Sequence, residues 1–108
     1  MNTPSIELII TEAVRRIVTE TNPLRVILFG SAARGDMGPD SDLDFLVVMP
    51  GGADCLSVTG RIHRILRGLD CPKDVVVVLE TDMAAHAQNP ALIIHTALTE
   101  GRELYHAA

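Results

Sequence analysis

Large aromatic side chains are nearly absent from this chain: two Phe, one Tyr and no Trp in 108 residues. A core must therefore be aliphatic, built from Ile, Leu, Val and Ala. Basic residues are also scarce. The net charge of −5 lacks the basic footprint of a protein that lives on nucleic acid. Cysteine is limited to Cys55 and Cys71, with no CxxC spacing and no histidine at ligand distance in sequence. This excludes a zinc ribbon or a redox motif and reads as two reduced thiols in a cytoplasmic protein. No apolar run reaches the roughly 20 residues of a membrane-spanning helix. No basic, then apolar, then small-residue leader opens the sequence. The four histidines show no ligand spacing with one another. There is no repeat, no linker and no Gly-Lys-Ser/Thr after a glycine-rich turn, so neither a Walker A loop nor a dinucleotide fingerprint is present.

What remains is one domain's worth of chain, 1–108, with room for one sizeable core. A mean hydropathy of +0.25 is high for so small a chain and raises the expectation that a partner covers some apolar surface.

Ile6, Ile9, Ile10, Ala13, Val14, Ile17 and Val18 recur at three- and four-residue steps, an amphipathic helix. Thr3-Pro4 suits its start and Asn22-Pro23 its end. Leu24 to Phe29 reads as a buried strand running into Gly30-Ser31. Ala32 to Gly35 allows one helical turn, and Asp36 to Ser41 a loop. Asp42 to Met49 reads as a second strand. Asp54 can cap a helix to about Leu69, on which Arg61, Arg64 and Arg67 form a solvated face. Lys73 to Leu79, with four consecutive valines, reads as a strand buried on both sides. A short helix from Thr81 or Asp82 and a last one after Asn89-Pro90, ending near Gly101, follow. The expected fold is α/β (α+β): a small three-stranded mixed sheet with helices mainly on one face, and 103–105 as a candidate fourth, edge strand.

Asp42 and Asp44 carry the chemistry. Residues two apart in a strand share a face, so both carboxylates project together while Leu43, Phe45 and Val47 face the core. Two carboxylates held this close favour a cation between them, and oxygen ligands suit Mg²⁺ or Mn²⁺. Asp74 opens the next strand. If the two strands pair, at a spacing of about 4.8 Å, three acids can hold two divalent ions roughly 4 Å apart for in-line phosphoryl chemistry. Gly30-Ser31 adds a strand-to-helix turn, where the backbone can approach a ligand and free N–H groups can meet an anion. Arg34 stands next to it, able to contact phosphate or to neutralise Asp36 and Asp40.

The run Phe29-Gly30-Ser31-Ala32-Ala33-Arg34-Gly35, followed by Ser41-Asp42-Leu43-Asp44, resembles the signature of the polymerase-beta-like nucleotidyltransferase superfamily. Ten residues separate Gly30-Ser31 from Asp42-Leu43-Asp44, as that signature requires. Within the superfamily the chain is similar to the minimal nucleotidyltransferases of prokaryotic toxin–antitoxin pairs with HEPN-domain toxins. Lys73-Asp74-Val75 matches the third acid by context. The resemblance implies a nucleotidyltransferase fold. It implies that Gly30 and Ser31 contact the β- and γ-phosphates, that Asp42 and Asp44 bind both ions, and that Asp74 binds the ion nearer the acceptor hydroxyl and helps take its proton. ATP as donor, with AMP transferred to a tyrosine hydroxyl of the toxin, is implied by resemblance alone, since no aromatic marks an adenine stack. A homo- or hetero-oligomer follows, because so short a chain carries no acceptor-holding domain. Two other readings stand beside it: a non-catalytic antitoxin that masks its toxin, and a nucleotidyltransferase acting on a small molecule or an RNA end.

Overall fold

The computed structural model describes residues 6–30, 33, 35, 42–69, 71–86, 89 and 93–107. Four helices and four strands lie among them. In chain order they are α1 (Ile6–Thr21), β1 (Arg25–Phe29), β2 (Leu43–Met49), α2 (Cys55–Ile65), β3 (Lys73–Leu79), α3 (Glu80–His86), α4 (Ile93–Glu100) and β4 (Arg102–His106). The expected helix start at Thr3-Pro4, the turn at Ala32 and Arg34, the Asp36–Ser41 loop, Ser31 and the Pro90 cap lie outside the described residues.

The strands form one mixed sheet in the order β3-β2-β1-β4. The edge strand at the C-terminal end is present and makes the fourth. β1 pairs antiparallel with β2 and with β4, whereas β2 and β3 are parallel in continuous register. A parallel pair needs a crossover, and α2 supplies it. Asp54 starts that helix as anticipated, its side chain accepting from the Ser57 N–H at 3.3 Å. The helix ends at Ile65 rather than near Leu69. Leu66 caps it, and Gly68, with φ +88, turns the chain. The Lys73 ammonium donates to the carbonyls of Leu69 (3.0 Å) and Cys71 (2.6 Å), pinning the segment between α2 and β3.

Alternation along the strands divides the core into two layers. Val26, Leu28, Leu43, Phe45, Val47 and Val75 point to one face and pack on Ile9, Ile10, Ala13 and Ile17 of α1 and Val58 and Ile62 of α2. Ile27, Phe29, Leu46 and Val48 point to the other and pack on Met83 of α3 and Ile94 and Ala97 of α4. The two long helices cover one face as expected. The opposite face is not bare but carries the two short ones. β2 is thereby buried on both sides, from Phe45 to Met49. This second layer accommodates much of the apolar excess. Among the described residues the exposed large hydrophobics are Ile6, Leu8 and Leu56, the last 85 % exposed.

The two long helices are also tied by polar contacts. Arg61 donates to the Glu20 carbonyl at 2.6 Å, and Arg16 to the carbonyls of Ile65 (3.0 Å) and Arg67 (3.3 Å). Arg61 is thus part of the helix–helix seam and not only a solvated charge.

Candidate active site

The site lies at one end of the sheet, where β1 finishes and β2 and β3 begin. Asp44 is the second residue of β2. Its register partners are Phe29 at the end of β1 and Asp74 at the start of β3. The same alternation that sends Leu43 and Phe45 into the first layer sends Asp44 to the face of Leu46 and Val48. Asp74 precedes Val75, a first-layer residue, so it shares the face of Asp44. Asp42 stands one residue before β2, exposed.

The structure therefore brings Asp44 and Asp74 side by side on neighbouring strands, with Asp42 close enough to be felt. Asp44 is half-buried, and Asp74 is exposed on the edge strand. The Asp44 carboxyl is held above the usual carboxylate range, first by burial, then by the charges of Asp74 and Asp42. Among the described residues no basic side chain pairs with any of the three. Lys73, next in sequence to Asp74, spends its ammonium on the Leu69 and Cys71 carbonyls between α2 and β3.

Gly30 closes the fourth side. It follows β1 in a left-handed conformation, φ +75, and its Cα faces the Asp44 carboxylate. A Cβ placed there would overlap that carboxylate, with the Asp44 Cγ at 3.3 Å and Cβ at 3.6 Å. Glycine's freedom at position 30, expected to serve a ligand, is used here for a close approach to Asp44, a contact set by strand pairing and not by local spacing.

The acids are neighbours without forming a closed cage. Asp74 Oδ1 accepts from the Val75 N–H at 3.0 Å, and among the described residues no three carboxylate, imidazole or thiol groups are gathered as a preformed metal site. The donor chemistry nevertheless fits a hard divalent ion: oxygen ligands only, like charges in mutual repulsion, and one ligand partly shielded from water. Ser31 and Arg34 lie outside the described residues.

Other features point away from alternative chemistry. Burial, with Asp82 and Asp54 nearby, pushes the Cys55 thiol up, so it is no thiolate nucleophile. No disulfide joins it to Cys71. Two cavities lie away from the acids. One, of about 230 Å³, separates α1 from β4 at Ile10 and Leu104. The other, of about 340 Å³, sits at the far end of the sheet between Arg25, Glu80 and His106. Among the described residues no helix is long and apolar enough to cross a membrane.

Comparison with known proteins gives a family from the sequence and a fold from the structures. The nucleotidyltransferase domain family matches residues 9–87, a span that includes Gly30, Asp42, Asp44 and Asp74. A crystal structure from Sulfolobus solfataricus, described as that of a nucleotidyltransferase by assignment, is 22 % identical with a TM-score of 0.64, over 98 % of this chain and 92 % of that one. A toxin–antitoxin structure with AMP-PNP is 18 % identical with a TM-score of 0.64, over 89 % of this chain and 73 % of that one. The spectinomycin adenyltransferase AAD(9) from Enterococcus faecialis, with ATP and spectinomycin, is 15 % identical with a TM-score of 0.62. There the overlap is 99 % of this chain and 57 % of that one. At these identities the likeness speaks to the fold. No curated protein matches the chain.

Proposed function

This chain belongs to the nucleotidyltransferase domain family, and from that premise we propose that it transfers AMP from ATP to a hydroxyl of a partner protein, acting as an antitoxin that adenylylates and neutralises a HEPN-domain toxin in the cytoplasm. The observation that carries the reading is the register of Asp44 against Asp74, with Gly30 packed on the Asp44 carboxylate. One shielded and one exposed acid on neighbouring strands suit two different tasks. The toxin-partner part of the reading draws on the toxin–antitoxin structure with AMP-PNP.

Asp42, Asp44 and Asp74 would hold Mg²⁺ or Mn²⁺, two ions in the full arrangement. Such ions neutralise the triphosphate and align attacking and leaving oxygens. The chain's own residues do the rest. The Gly30 turn, with Ser31 and Arg34, cradles the β- and γ-phosphates. Asp74, at the exposed edge, takes the proton of the acceptor hydroxyl. The acceptor oxygen bonds to the α-phosphorus as the bond to the β-phosphate oxygen breaks, and pyrophosphate leaves. The whole of 1–108 acts as one catalytic domain, and the partner supplies the acceptor.

The test is transfer of α-labelled ATP to the protein encoded by the adjacent reading frame. D42N/D44N is expected to abolish labelling, and undiminished labelling would refute the proposal. A masking antitoxin is the second reading, favoured by the Asp74 carboxylate being engaged by the Val75 N–H. It predicts that D42N/D44N still neutralises the toxin in full.

A further inference from the structure

We propose that Gly30 is a positioning residue for Asp44: the space where a side chain at position 30 would stand is what seats the Asp44 carboxylate in the acidic cluster. This rests on the reading of Asp44 as a metal ligand, and it assigns Gly30 a task separate from any contact with phosphate.

Three observations support it. Phe29 and Asp44 are register partners, so residue 30 is the first that can reach past the end of β1 over the Asp44 side chain. Gly30 has φ +75, which aims its missing Cβ at that carboxylate rather than at solvent. The built Cβ meets the Asp44 Oδ2 inside van der Waals contact, with Cγ at 3.3 Å. By contrast Gly35 and Gly68, also at positive φ, would meet nothing within 4 Å. Their requirement is conformational alone, whereas Gly30 has a conformational and a steric requirement together.

The geometry gives the steric part its meaning. Asp44 is flanked by β1 on one side and β3 on the other. With glycine at position 30 the Asp44 carboxylate occupies the space beside the end of β1. A methyl group there would drive it outward into water or across towards Asp74, against a like charge. Either movement spoils a pair of acids meant to share a cation, because carboxylate ligands must be held within about 0.5 Å of working geometry.

A double-mutant cycle tests the idea. Wild type, G30A, D44A and G30A/D44A are unfolded in urea with EDTA present, and each is titrated with Mn²⁺ alone, free ion being read by electron paramagnetic resonance. The expected result is that G30A lowers the folding equilibrium constant at least tenfold more in the wild-type background than in the D44A background. An equal loss in both backgrounds would mean that only the backbone conformation matters, and would overturn the proposal. Should G30A not fold, recovery of folding in G30A/D44A supports it and failure of both overturns it. In the Mn²⁺ arm, folded G30A binds at least tenfold more weakly than wild type, and G30A/D44A no more weakly than D44A. Unchanged affinity in folded G30A overturns the positioning role. If wild type binds no Mn²⁺ yet stability coupling persists, the metal reading fails and takes the positioning role with it, while the steric contact stands.

Discussion

Replacing Asp44 with Asn is expected to stabilise the metal-free protein while destroying its site. Asp44 and Asp74 are register partners on adjacent strands, whose backbones lie about 5 Å apart. Asp44 is half-buried and Asp74 exposed, so water screens the pair heavily. At a dielectric near that of water their repulsion is about 1 kcal/mol. Asn keeps the shape and removes the charge, together with the cost of partly burying it. For a domain of this size about 1 kcal/mol moves the melting temperature by roughly 4–8 °C. The pH dependence has a definite sign. The folded-state pKa of Asp44 is raised, so its charged form disfavours folding. That penalty is complete above the folded pKa. It fades as pH falls towards the unfolded value, where D44N loses its advantage. Saturating Mg²⁺ should act oppositely: at one hundred times its dissociation constant a ligand adds about 2.7 kcal/mol, to wild type and not to D44N. Differential scanning calorimetry in EDTA and in Mg²⁺, at neutral and acidic pH, reads all of this. D44N melting below wild type in EDTA, or gaining as much from Mg²⁺, would refute the reasoning.

Two further outcomes concern the scaffold. Phe45 is fully buried in the first layer, and Phe45→Ala should cost about 3–5 kcal/mol in urea denaturation, a large share of the roughly 5–15 kcal/mol available to a small domain. Lys73→Met removes the ammonium from the Leu69 and Cys71 carbonyls. It should cost about 1–2 kcal/mol with nucleotide transfer unchanged, and a collapse of transfer in folded protein would place Lys73 in the chemistry instead.

Much of the architecture was legible in the sequence. The valine run at 73–79 and the apolar stretch at 43–49 come out as strands, but only 43–49 is buried on both faces: 73–79 lies at the sheet edge, where Val75 alone is fully buried and the other valines are half-buried. Asp54 came out as a cap because its carboxylate can serve a free N–H at a helix start. Asp44 falls on the face of Leu46 as the two-residue period requires, whereas Asp42 stands one residue ahead of the strand that was expected to include it. What failed to show was anything that depends on distant partners. α3 and α4 have seven and eight residues, too short for a clear apolar period, so the second core layer under Met83, Ile94 and Ala97 went unread. The early end of α2 was hidden because Leu66 and Leu69 continue its apolar stripe past the point where Gly68 turns the chain. The setting of Gly30 against Asp44 is a tertiary fact, fixed by antiparallel pairing across a segment of thirteen residues that local pattern does not span.

The position of β2 in the sheet has one more consequence. Its amides are bonded on both sides and covered on both faces, so they should exchange with heavy water only through global unfolding, whereas β3, on the rim, can release protons through smaller openings. Asp44 thus rides on one of the two inner strands and Asp74 on an edge strand that can breathe. Adjustment to an incoming acceptor would fall to the rim, leaving the inner carboxylate where it is.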